Sequence, residues 1–148
     1  QLLAAVLDER DRRIVSRLPR PEEGAEAALD AWADMVAHNQ RHPDGVALYT
    51  AMSAAVIDSK HQAHPWFREH LIGAISYLVE AFEHGKTTGE VREDAPSEQI
   101  ARRLVAISDG LQVQWLCSRA DGGRALNMHE VMAGVAVDMK ERWLVRAE

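Results

Sequence analysis

The sequence predicts an all-α bundle, and three observations lead there. Apolar residues recur at helical spacing in about six stretches. Prolines and glycines fall at the junctions between those stretches, where helices start and stop. No run of alternating β-branched residues is present, so no sheet is expected. With 148 residues, 47% hydrophobic and 27% charged, the chain suits one domain, residues 1–148, around a single core.

The first stretch places Leu3, Leu7, Ile14 and Leu18 on one stripe and a charge run, Asp8 to Arg13, on the other face. Pro19 and Pro21 end it, and Pro21 is placed to open the second helix. That helix aligns Ala25, Ala28, Leu29, Trp32, Met35, Val36 and Asn39, with Glu22, Glu23 and Glu26 near its positive end. Val46 to Lys60 is apolar nearly all round and reads as a buried central helix. His64-Pro65 opens a fourth helix, with Phe67, Leu71, Ala74, Ile75, Leu78 and Phe82 on one face and Gly85 as its stop. Asp94 or Ser97 caps the fifth, along which Ile100, Leu104, Ile107, Leu111 and Trp115 recur. A Gly122-Gly123 turn leads to Asn127-x-x-Glu130, close to a capping box, and to a last helix lined by Met128, Val131, Met132, Val135 and Met139.

Charge and cysteine usage narrow the function classes. The net charge of −6 is a poor match for a phosphate backbone, so any DNA-binding surface is expected outside this segment. One cysteine, Cys117, excludes an internal disulfide and fits a reducing, cytoplasmic compartment. No signal peptide or bilayer-length apolar run is seen, so no membrane partner is expected. The chain opens on Gln1 and runs straight into Leu2 and Leu3, as if entered partway through a helix.

Four segments carry a family resemblance: LLAAVLDERDRR (Leu2 to Arg13), HPWFREHL (His64 to Leu71), GEVRED (Gly89 to Asp94) and ISDGLQVQWL (Ile107 to Leu116). In this order they resemble the C-terminal domain of TetR-type transcriptional regulators, in the betaine-type repressor subgroup. The resemblance implies a TetR-like helical bundle that binds a small-molecule effector and forms a homodimer. It also implies that residues 1–18 connect to an N-terminal helix-turn-helix head, of which nothing is present in this sequence. DNA would be bound only through that head. The last two helices would form a four-helix dimer interface, expected to involve Ile107, Gly110, Gln114, Val131, Gly134 and Val135, with Val135 near its centre.

The residues themselves point to binding before chemistry. Trp32, Met35, Tyr49, Phe67 and Trp115 fall on interior helix faces, together with the polar Ser53, His70, Asp109 and Gln112. An apolar cavity with a few polar contacts is the usual composition of a small-molecule site. Asp109 stands out, because a carboxylate in mid-helix is costly to bury unpaired; Arg102 and Arg103 are candidate partners. His61, His64 and His70 lack a companion cysteine or acidic pair at ligand spacing, so no metal and no cofactor is expected. Cys117 reads as a buried, inert thiol. No nucleophile motif or phosphate loop appears, and no catalytic residue is assigned. The expected function is an unidentified effector's sensor in a repressor. A small helical enzyme using the same cavity and a protein-binding scaffold are the alternatives.

Overall fold

A computed structural model describes residues 2–120 and 125–146, without the side chains of residues 3, 4 and 120. The Gly122-Gly123 turn lies outside them. The described residues form six α-helices and no strand: α1 (Leu2–Val15), α2 (Ala25–Gln40), α3 (Pro43–Ser53), α4 (His64–Thr88), α5 (Ser97–Ala120) and α6 (Met128–Trp143). Short 3-10 turns occupy Pro21–Glu23 and Ala54–Ile57. Among the described residues no helix is long and apolar enough to cross a membrane.

The main core lies between α2, α4, α5 and α6. Leu29, Leu78, Phe82, Ile100, Leu104, Met128 and Met132 are fully buried there, one helical stripe meeting another. A smaller cluster gathers Leu7 of α1, Tyr49 of α3, and Ala63 and Phe67 at the start of α4. Leu7 is the one buried side chain described on α1, and the α1 backbone approaches the other helices only sparsely.

Three boundaries differ from the sequence expectation. Pro21 opens a single 3-10 turn, and α2 begins after Gly24, whose φ of 104° is open to glycine alone at low cost. The central helix ends at Ser53, and only Val46 and Tyr49 are buried on it. Its exposed apolar residues are the alanines Ala47 and Ala51, small enough to face water without a partner, followed by the exposed Ala54 in the next 3-10 turn. Gly85 lies inside α4; the stop is Gly89, which takes the left-handed conformation at φ 80°. Gly85 is glycine for a different reason. A Cβ there would come within 2.5 Å of the Val91 side chain, where the chain folds back against the helix.

The helix starts are tied to remote residues. The Glu90 carboxylate accepts the backbone N–H of Ala25 at 2.9 Å and of Glu26 at 2.8 Å, capping α2 from the α4–α5 loop. Gln40, the last residue of α2, accepts the Met128 N–H at 2.8 Å. The Asn127 side chain accepts the Glu130 N–H at 3.2 Å, half of the expected capping box.

Candidate functional site

A cavity of about 620 Å³ opens between the main core and the smaller cluster, with walls from α1 to α5. Its size is that of sites for drug-sized molecules. On α2, Trp32, Met35 and Asn39 face it, one turn apart. Tyr49 enters from α3. On α4, Trp66, His70, Gly73, Ala74 and Tyr77 follow one another at helical spacing. Val105, Ser108, Asp109 and Gln112 of α5 form the floor. The outer wall is α1 and the residues after it: Arg10, Asp11, Ile14, Val15 and Leu18.

The polar groups of this site are held from several helices. The Trp32 indole N–H donates to Ser108 Oγ at 2.8 Å, and the Ser108 hydroxyl in turn donates to the Leu104 carbonyl at 2.9 Å. The Tyr49 hydroxyl donates to Asp109 Oδ1 at 3.1 Å. Burial pushes the Asp109 carboxyl above its usual range, opposed by the Tyr49 bond and by His70 and Arg10 nearby. Burial and the facing Asp109 carboxylate push the Tyr49 hydroxyl up. It therefore stays a donor. The Arg10 guanidinium lies 4.9 Å from the Tyr49 ring centroid, 3.5 Å from Asn39 Oδ1 and 4.0 Å from Asp11. Two further bonds tie α1 to α4: Trp66 Nε1 donates to Asp8 Oδ1 at 2.7 Å, and His70 Nδ1 donates to Asp11 Oδ2 at 2.6 Å. The His70 and Trp66 rings stack with 14° between their planes.

Two buried polar atoms on this cavity have no hydrogen-bond partner: the Tyr77 hydroxyl and Gln112 Oε1. Burial pushes the Tyr77 hydroxyl up to about 12, so it too is a donor at neutral pH. An unpartnered buried donor and acceptor are costly in an empty site and are satisfied by a polar ligand.

Of the residues expected from the sequence, Trp32, Met35, Tyr49, His70, Asp109 and Gln112 line this one cavity. Ser53, Phe67 and Trp115 do not. Ser53 turns back to donate to the Thr50 carbonyl. Phe67 is sealed into the smaller cluster beneath Tyr49. Trp115 continues the α5 face into the main core, with Arg119 over its ring at 4.7 Å. Asp109 pairs with Tyr49 and feels Arg10, whereas Arg102 pairs with Glu98 and Arg103 is exposed. The sequence places Asp8, Arg10 and Asp11 in a charge run on the face of α1 opposite its apolar stripe. Three residues of a charge run carry no signal of facing a cavity until α1 is laid against α3 and α4. Trp66 and Tyr77 were also missed, since both sit off the main apolar stripe of α4.

The helix face expected to pair with a second copy is open in this chain. Val131 is 39% exposed, and Gln114 and Gly134 are exposed. A Cβ at Gly110 or Gly134 would meet nothing within 4 Å. Ile107 and Val135 are half-buried, packed against the main core. Cys117 is exposed, not buried, because it follows Val113 and Gln114 onto the outer face of α5. His61 and His64 sit at the junction before α4, where His61 accepts the Ala63 N–H and His64 bonds the Val56 carbonyl. No cluster of three or more potential metal ligands is found among the described residues. Comparison of the chain with family models, curated proteins and solved structures finds no match.

Proposed function

We propose that this chain is the effector-binding and dimerisation domain of a TetR-type transcriptional repressor. A small molecule enters the cavity, a second copy pairs through α5 and α6, and DNA is bound through a helix-turn-helix head joined to α1. The supporting observation is that α1 is the cavity's outer wall. Among its described side chains one leucine, Leu7, is buried, and hydrogen bonds from Trp66 and His70 tie it to α4. A molecule filling the cavity therefore touches the helix that the family resemblance assigns to signal transmission. It shifts the spacing of two heads only to the extent that it binds one α1 position better than the other.

Native mass spectrometry of the protein purified from its own host tests this reading. The expected result is a dimer carrying a retained small molecule, released unchanged on denaturation. Chemical conversion of that molecule by the protein would instead favour an enzyme. A monomer that binds nothing would overturn the proposal.

A further inference from the structure

Resting on the reading of the cavity as an effector site, we infer that its ligand is an amphipathic amine. Its primary or secondary ammonium bonds Asp109 and Gln112, takes the place of Arg10 over Tyr49, and so loosens α1.

The cavity is short of positive charge. Asp8, Asp11 and Asp109 all line it, and each is held by a ring or hydroxyl hydrogen: from Trp66, His70 and Tyr49. The nearest Arg10–Asp11 approach is 4.0 Å, the outer limit of an ion pair. Acidic lining alone would say little. The independent observation is Gln112, which is 6% exposed, faces the cavity and has its carbonyl oxygen without a partner. It stands about one helical turn beyond Asp109 on α5, and both line the cavity, so a donor with more than one N–H can serve the carboxylate and the unpartnered carbonyl together.

Arg10 indicates what fits there. Its side chain is 16% exposed, reaches in from α1, lies over the Tyr49 ring, and makes one hydrogen bond at 3.5 Å with five N–H groups to satisfy. It acts as a tethered cation, weakly bonded, beside an acceptor pair and an aromatic face. A ligand ammonium gains the same ring face and both acceptors, and like-charge repulsion drives Arg10 out. The walls of Trp32, Trp66 and Tyr77 suit an apolar body behind the amine. A quaternary ammonium has the charge but no N–H for Gln112, and a carboxylate faces Asp109.

Tryptophan fluorescence titration tests the inference, with Trp32 and Trp66 as reporters in the wall. Phenylbutylamine, phenylbutanol, phenylbutyrate and phenylbutyltrimethylammonium share one apolar body. The amine should bind about ten-fold more tightly than the alcohol and the trimethyl compound, and the carboxylate weakest. Asp109→Asn should erase the amine's advantage over phenylbutanol, with a thermal melt reporting that the variant is folded. Arg10→Gln should tighten amine binding by about three-fold or more, because the cation over the Tyr49 ring is gone. Equal binding of all four probes, or tighter binding of the carboxylate, would overturn the amine assignment and leave the effector cavity standing. Amine binding weakened by Arg10→Gln would overturn the replacement of Arg10. No binding of any probe, by the wild type or by Arg10→Gln, would overturn both the amine and the cavity reading.

Discussion

Asp109 and Gln112 sit one turn apart on α5 and illustrate opposite ways of being costly. Asp109 is a charge whose burial is only partly offset by the Tyr49 hydroxyl, with His70 and Arg10 acting in the same direction. Its folded-state pKa lies above the unfolded value, so the folded chain holds the proton more readily. Its contribution to stability is then greatest in acid and declines as pH rises through the folded pKa. Asp109→Asn keeps an acceptor for Tyr49 and removes that decline. Thermal melts should show the variant gaining on the wild type between about pH 3 and pH 7, a window that spans the ordinary carboxylate range. Glu9, Glu83 and Asp94 are shifted the other way by Arg13, Lys86 and Arg92 and lose stabilisation in acid, but they cancel in the difference. A constant difference across that range would show that Asp109 is not strained. Gln112 is neutral, and its cost is a missing hydrogen bond. Gln112→Met, of similar length, should stabilise the ligand-free chain by about 1 kcal/mol. A lower melting temperature would mean that the carbonyl has a partner in solution.

At the level of the helix, the α4–α5 loop organises both neighbours. Glu90 supplies the carboxylate that the N-terminus of α2 lacks, since Gly24 has no side chain to cap it. Removing it in Glu90→Ala should cost about 1 to 2 kcal/mol, the range of a lost N-cap, measured by urea unfolding. The same loop passes so close to α4 that Gly85 cannot accept a methyl group without moving Val91. Gly85→Ala should therefore destabilise by about 1 to 3 kcal/mol despite the higher helix propensity of alanine. Equal stability of Gly85→Ala and wild type would show that the loop yields freely. Val91 also pairs with Leu144 in an isolated bridge, so this strain would be passed to the end of α6.

For the whole molecule, the outer faces of α5 and α6 are the surface on which the dimer proposal stands. Val113 is 50% exposed and Val137 51%, beside the open Gly110 and Gly134 backbones. Val135 is a poor probe of this surface because it also packs into the chain's own core. Val131→Glu places a charge on an exposed position and leaves the core intact. Sedimentation velocity at micromolar concentration should give a dimer for the wild type and a monomer for Val131→Glu, since a carboxylate buried without a partner is costly. A dimeric variant would move the interface elsewhere. The net charge of −6 adds a second expectation: the 148-residue chain alone should show no sequence-selective duplex binding at physiological salt in a mobility-shift assay.

The helical class, the number of helices and most of their inner faces follow from the spacing of apolar residues, because that spacing repeats the 3.6-residue period of the helix itself. The Asn127–Glu130 cap was legible for a similar reason, being local in sequence. So were Trp32, Met35, Tyr49, His70, Asp109 and Gln112 as a group, since an interior face can be read one helix at a time. Contacts between distant segments could not be read in this way. Nothing in a charge run such as Asp8 to Arg13 says that Arg10 will lie over Tyr49, or that Asp11 will meet His70 across 59 positions of chain. Nor does any local pattern show Glu90 capping α2, or separate a wall residue such as Gln112 from a core residue such as Trp115 on the same helix. These were decided by how α1 and the α4–α5 loop lie against the bundle. Hydrophobic periodicity states which side of a helix turns inward, but only packing decides whether it meets a neighbour or a cavity.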